Sequence, residues 1–232
     1  MTTAGKTYRP RIAILASGGG STAEAFIHAT QDGRVNAEVG LIVCNKPRGK
    51  AGIYERIDRL NRHYGLTVEI VEISGKTHPG GKGARGQTLE ESATICDLIK
   101  KGKYDHVALM GYMRILRGAL IEEFGWHSGL TSKYEARLSN THPGPLPETQ
   151  DTYGLLASER VLKLKMKQSR HTFHLVAAGV DEGPILAAHP VDVLPGDTAQ
   201  ILFDRVQVVE KAALPYGIDK FLREQAAYFA SH

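Results

Sequence analysis

Cysteine is scarce in this chain: only Cys44 and Cys96 occur among its 232 residues. Two thiols cannot build the disulfide framework of a small secreted domain, and their spacing fits no zinc motif, so they read as buried, reduced side chains and no metal is expected. Aromatic residues are also few, at 7% with a single tryptophan. The densest basic stretch, Lys163, Lys165, Lys167 and Arg170, has none interleaved with it. That stretch reads as a solvated face and argues against a nucleic-acid partner. No apolar run approaches the roughly 20 residues of a membrane helix. The N-terminal residues are polar and lack the apolar segment of a secretion signal. Membrane insertion and secretion are therefore disfavoured, and a cytoplasmic protein is expected.

What is present is ordinary for a globular chain: 42% apolar and 23% charged residues, enough to bury a core without staples. A net charge of +4 suits an anionic small molecule, although proteins that bind nothing charged often carry as much.

The apolar run 11–15 predicts a strand, followed by the turn Ser17-Gly-Gly-Gly-Ser-Thr22 and a helix over 23–30. Further strands are predicted at 39–43, 67–73 and 106–110. Helices are predicted at 52–63, with Ile53, Ile57 and Leu60 at helical spacing, and at 89–101. The glycine-rich, polar stretch 74–87 predicts a mobile loop. Strands alternating with helices in this way define an α/β protein with a doubly wound, mostly parallel sheet. Beyond Gly111 the pattern loosens. Pro143, Pro145 and Pro147 predict a loop over 139–147, and strands follow at 171–176 and 187–193. Asp197-Thr-Ala-Gln200 resembles a capping box opening a long helix, with Leu202, Val206, Val209 and Ala213 as its buried stripe. No repeat or linker divides the chain, so residues 1–232 are expected to form a single domain.

Three constellations could carry chemistry. The turn Ser17–Thr22 lies between strand and helix, where backbone N–H groups and the helix dipole favour an anion and Ser21 and Thr22 add hydroxyls. It lacks the third glycine of the dinucleotide fingerprint and the Gly-Lys pair of a P-loop, and a tight turn that simply needs glycine explains it nearly as well. Asn140 and His142, two apart on a proline-stiffened loop, can aim two donors at one oxygen, as acyl transfer requires. Asp181 follows His174 and opens a Gly-Pro turn. It is either a structural turn residue or a carboxylate that keeps a histidine protonated.

Taken together these residues resemble the glycinamide ribonucleotide formyltransferases. Ser17-Gly-Gly-Gly-Ser-Thr22 stands where that family has S-G-x-G-S-N, and Gly111-Tyr-Met-Arg-Ile-Leu116 where it has G-F-M-R-I-L. Asn140-Thr-His-Pro143 matches N-I-H-P, and His174 through Pro184 matches H-F-V-x-x-x-x-D-G-G-P with Glu182 for a glycine. Arg205-Val-Gln-Val-Val-Glu-Lys211 matches R-V-Q-x-x-E-H. The five motifs occur in family order.

The resemblance implies a Rossmann-like formyltransferase fold, with a phosphate-binding N-terminal half and a folate-binding, catalytic C-terminal half. It implies small-molecule substrates, 10-formyltetrahydrofolate as formyl donor, no metal, and a monomer or homodimer. Gly20, Ser21 and Thr22 would hold the acceptor's phosphate, with Gln207 and Glu210 reaching the acceptor from the last helix. Met113, Arg114, Ile115 and Leu116 would line the folate pocket together with Asn140. Asn140, His142 and Asp181 would be catalytic, with His174 supporting them. In this picture protonated His142 and Asn140 stabilise the oxyanion formed when an amine attacks the formyl carbon.

The chain departs from the family pattern at 144–154, beside the acceptor, at an apparent insertion over 125–136, and at 74–87. The family carries a folate-contacting arginine in this last segment, and Arg85 is the candidate here. A nucleotide-linked amino sugar is the alternative acceptor, while Gln207 and Glu210 favour the ribonucleotide. Methionyl-tRNA formyltransferase would need a further C-terminal domain, and formyltetrahydrofolate hydrolase an N-terminal one. A Rossmann oxidoreductase or a non-catalytic binding protein is the alternative from another class.

Overall fold

The computed structural model describes residues 8–79 and 86–232. The chain runs β1 (Arg11–Ala16), α1 (Ser21–Gln31), β2 (Glu38–Cys44), α2 (Ile53–Tyr64), β3 (Glu69–Glu72), α3 (Leu89–Lys101) and β4 (His106–Leu109). Then come α4 (Ala119–Phe124), β5 (Leu138–His142), α5 (Leu155–Lys163), β6 (Gln168–Leu175), β7 (Ile185–Asp192) and α6 (Ala199–Ala230). Among the described residues the strands form one sheet in the order β3-β2-β1-β4-β5-β6-β7. β1 to β5 are mutually parallel, and β6 and β7 add as antiparallel neighbours. The doubly wound α/β expectation is borne out.

Alternation along the strands decides which helices cover which face. Ile12 and Ile14 of β1, with Ile42 and Cys44 of β2, join α1, α2 and the far half of α6 in one buried cluster. Ala13 and Leu15, with Leu41 and Val43, point the other way and pack under α3 and α4. Strands covered on both faces read as continuous apolar runs, which is why β1 and β2 were legible. Cys44 and Cys96 are free and buried, as expected.

From β1 the chain winds outward to β2 and β3, then returns to β4 and β5 on the other side. The reversal leaves a crevice beyond the carboxyl ends of β1 and β4, where open sheets of this kind take ligands. Ser17 ties the two lips together. It is buried, its N–H donates to the Gly111 carbonyl (3.1 Å), and its Oγ accepts from the Met113 N–H (2.8 Å).

Several boundaries differ from expectation. Asn140 and His142 are not on a loop: residues 138–142 form β5, paired with β4 on one side and β6 on the other. The prolines act only from residue 143 onward. No capping box forms at 197–200. Thr198 is the N-cap of α6, accepting from the Ile201 N–H, while Asp197 pairs with Arg205 (2.7 Å). Of the expected stripe on α6, Leu202 and Val206 are buried, Val209 and Ala213 only partly so, and Glu210 takes a buried place. A true capping box opens α3, where Thr88 and Glu91 bond reciprocally.

Candidate active site

Asn140 and His142 are two apart on β5, so their side chains leave the same face. Across the antiparallel pair, His174 lies opposite Asn140 and Thr172 opposite His142. His174 therefore reaches the same face from the neighbouring strand. Asp181 arrives from the loop between β6 and β7. It sits at φ 56, in the left-handed region, held there by the tight path of the loop around it. A Cβ on Gly183 would run into the Leu175 carbonyl, and the Leu175 N–H closes the loop onto the Pro184 carbonyl (2.9 Å).

These four side chains converge. Asp181 lies with one oxygen 3.4 Å from His142 Nδ1 and the other 3.5 Å from His174 Nε2. Asn140 Nδ2 is 3.2 Å from His174 Nε2 and 3.4 Å from Asp181 Oδ1. Burial opposes ionisation of Asp181, but His174 and His142 beside it and the Asn140 amide that donates to it outweigh that penalty and hold the carboxyl below its usual range. For His142 the balance is reversed. Burial pushes its imidazole down, and the Asp181 carboxylate only partly opposes that. The resting imidazolium expected from the sequence is therefore corrected: the free site favours a neutral ring, because desolvation of this buried side chain outweighs one carboxylate at 3.4 Å. On its other edge the ring's Nε2 meets the Thr149 hydroxyl at 2.9 Å, a contact the sequence did not signal.

The cluster forms one end of a cleft of about 420 Å³ that Met113, Arg114, Ile115 and Leu116 also line, with Tyr112, Tyr153 and Val180. Gly111 turns the chain into this lining at φ 74. Met113 and Ile115 leave 52% and 37% of their surface exposed, apolar area that a ligand could cover. Arg114 is held from behind by Glu91 of the α3 cap (2.7 Å), a fully buried carboxylate. A larger groove of about 690 Å³ between β7 and α6 contains none of these groups. Arg85 lies outside the described residues, as does part of the predicted loop 74–87.

The glycine turn leads into α1 with Gly20 as its N-cap at φ 75. A Cβ on Gly20 would come within 2.6 Å of Ile53, whereas one on Gly18 or Gly19 would meet nothing. The free backbone surface of this turn is thus at Gly18 and Gly19, and Gly20 is required for the turn itself. Ser21 is half-buried at the head of the helix. The Thr22 hydroxyl is not the free donor expected: it donates to Glu210 Oε1 (2.7 Å), joining the first turn of α1 to α6 across 188 positions of sequence. Burial raises the Glu210 carboxyl, with the Thr22 hydrogen bond working against it. Gln207, one turn earlier, is half-buried.

A mostly parallel sheet with a glycine turn after β1 and a cluster of titratable side chains at one end of a ligand-sized cleft is an α/β scaffold that sets proton-carrying groups beside a binding site. Residues 10–218 match the formyl transferase family, and the chain belongs to that family. It is 26% identical over 91% of its length to the phosphoribosylglycinamide formyltransferase of Bacillus subtilis, covering 94% of that protein. The crystal structure of phosphoribosylglycinamide formyltransferase from Bacillus halodurans superposes with a TM-score of 0.74 at 30% identity, covering 91% of this chain and 95% of that one. A trifunctional purine biosynthetic protein of Drosophila melanogaster is 31% identical over 89% of the chain, which spans only 13% of that much longer protein. The resemblance read from the five motifs is borne out.

Proposed function

We propose that this protein transfers the formyl group of 10-formyltetrahydrofolate to the amine of glycinamide ribonucleotide, a step of purine biosynthesis, as a single-domain cytoplasmic enzyme. The observation that carries this reading is the convergence of Asn140, His142, His174 and Asp181 at one end of a cleft lined by 111–116. The cleft fits the donor's flat ring system: Met113, Ile115, Leu116 and Val176 give it apolar wall, the polar side chains of the cluster gather at one end, and its volume is in the range of a ligand pocket. When bound, the donor supplies a formyl carbon on a nitrogen that can leave.

The acceptor amine attacks that carbon and the carbonyl electron pair moves to oxygen. His174 Nδ1 lies 2.8 Å from the Leu175 carbonyl, so that nitrogen carries the proton and Nε2 accepts from the Asn140 amide. The second acceptor of that amide, Asp181 Oδ1, is 3.5 Å from His174 Nε2, close enough for both to share one hydrogen and leave the other for the oxyanion. Neutral His142 takes the proton released by the attacking amine. The imidazolium so formed lies beside Asp181, which stabilises it until the proton passes to the departing donor nitrogen. Protein groups thus move the proton and stabilise the charge without a covalent intermediate.

Glycinamide ribonucleotide is favoured as acceptor by the open backbone at Gly18 and Gly19 before α1, suited to a phosphate, and by Glu210, which Thr22 holds against that same helix end. Purified protein given 10-formyltetrahydrofolate and a panel of amines tests the proposal. Turnover with glycinamide ribonucleotide supports it, and turnover only with a nucleotide-linked amino sugar replaces it.

A further inference from the structure

Thr149 lies in the segment 144–154, where the chain departs from the family pattern. It is completely buried. Its Oγ1 is 2.9 Å from His142 Nε2 and 2.7 Å from the Pro145 carbonyl. A carbonyl oxygen can only accept, so the single hydroxyl proton goes to Pro145 and the hydroxyl oxygen accepts from the imidazole. The surroundings are built for this contact. A Cβ on Gly144 would overlap the Thr149 hydroxyl and come within 3.2 Å of His142 Nε2, so glycine is what leaves room for the pair. The Gly144 carbonyl is fixed by the Thr172 hydroxyl of β6 (2.7 Å). The next residue, Gln150, donates to the Val180 carbonyl (2.9 Å) beside Asp181, tying the segment to the loop that carries the carboxylate.

We propose that Thr149 is a positioning residue that holds His142 in its Nε2–H tautomer, so that Nδ1, facing Asp181, is the nitrogen that takes up and releases the proton. The neighbours divide accordingly. Asp181 faces Nδ1 at 3.4 Å, while His174 of β6 meets Asp181 from the far side and Asp151 lines the cleft beyond. With Thr149 removed, the carboxylate becomes the only strong partner of the ring and draws the proton to Nδ1. The ring is then neutral with its reactive lone pair turned away from the reaction. Which nitrogen of a histidine is protonated is set by the bond that the other makes.

This inference rests on His142 acting in formyl transfer, but its test reads the ring directly. Histidine-labelled protein is compared by ¹⁵N NMR for the wild type, Thr149→Val, Thr149→Ser and Gly144→Ala, alongside steady-state kinetics with the formyl donor and glycinamide ribonucleotide. In the wild type, neutral His142 shows a protonated Nε2. Valine keeps the packing and loses the acceptor: the ring shifts toward Nδ1–H and kcat falls about tenfold, the scale of one lost hydrogen bond, with KM for the donor within about twofold. Serine restores both the tautomer and kcat to within about threefold of wild type. Gly144→Ala, which displaces Thr149, reproduces the valine result should that variant not fold. A wild-type His142 that is neutral with its proton on Nδ1, or a folded Thr149→Val with unchanged shifts and kcat, overturns the proposal. A wild type that turns over no amine, yet shows the Thr149-dependent shift, overturns the functional reading and leaves the anchoring of His142 standing.

Discussion

Asn140 and His174 face each other across the antiparallel β5–β6 pair, Nδ2 to Nε2 at 3.2 Å, and both reach Asp181. The pairing places an amide, two imidazoles and a carboxylate on one face of the sheet. It also orients the amide, because the Leu175 carbonyl holds the His174 proton on Nδ1.

Removing either charge-handling group should cost chemistry and spare the fold. His142→Ala and Asp181→Asn are each expected to lower kcat by ~10² or more with little change in donor binding, the signature of groups that act in the transition state. Asparagine is the right replacement at Asp181 because it tolerates the left-handed backbone that residue adopts at φ 56. Near-normal turnover in either variant would remove these residues from the catalytic set.

The pH profile separates the two charge states of His142. Burial lowers its pKa, so the ring loses its proton below the ordinary histidine range and is neutral from there upward. A neutral ring is the form that accepts the amine's proton. The expected kcat/KM therefore rises with pH as the acceptor amine deprotonates, then stays level through the mildly alkaline range. Asp181→Asn removes the one carboxylate that opposes burial and moves the His142 titration lower still. An alkaline fall in wild type that disappears in His142→Asn would restore the imidazolium as the acting form.

Buried histidines away from the cleft should make the fold sensitive to acid. Burial drives His106 and His171 down to about 3. In the unfolded chain each titrates near 6.5, so as pH falls the unfolded state takes up protons first and stability declines across the window from about 6.5 to about 3. The slope contributed within that window is ~1.4 kcal/mol per pH unit for each ring. Urea titrations at several pH values measure it, and His106→Gln, which keeps a donor for Ser139, should remove about one ring's share. Stability independent of pH between 6 and 4, roughly the centre of that window, would show that these rings protonate without unfolding.

The glycine turn offers a matched pair of substitutions. Gly20→Ala puts a Cβ 2.6 Å from Ile53 at φ 75, and should destabilise by about 1–3 kcal/mol. Gly18→Ala meets nothing within 4 Å and should leave stability within ~0.5 kcal/mol. Its methyl nevertheless stands where a phosphate would approach the backbone, so thermal protection by glycinamide ribonucleotide should shrink while donor binding persists. Undiminished protection in Gly18→Ala would place the phosphate elsewhere.

What the sequence determined by itself is local. The run 11–15, its glycine turn and the helix after it are set by residues a few positions apart, and the motifs around Gly111, Asn140 and Asp181 named the groups that meet in the cleft. β5 was not legible, because Leu-Ser-Asn-Thr-His carries little apolar signal. It is a strand because β4 and β6 flank it and take its backbone hydrogen bonds. The charge of His142 was likewise decided in three dimensions, since desolvation depends on what packs around a ring and not on its neighbours in sequence. Thr22 meets Glu210 across 188 positions, and Thr149 reaches His142 only because the segment after the prolines folds back against that side chain. Short-range periodicity and motif carry no information about such contacts. Strand pairing and burial create them.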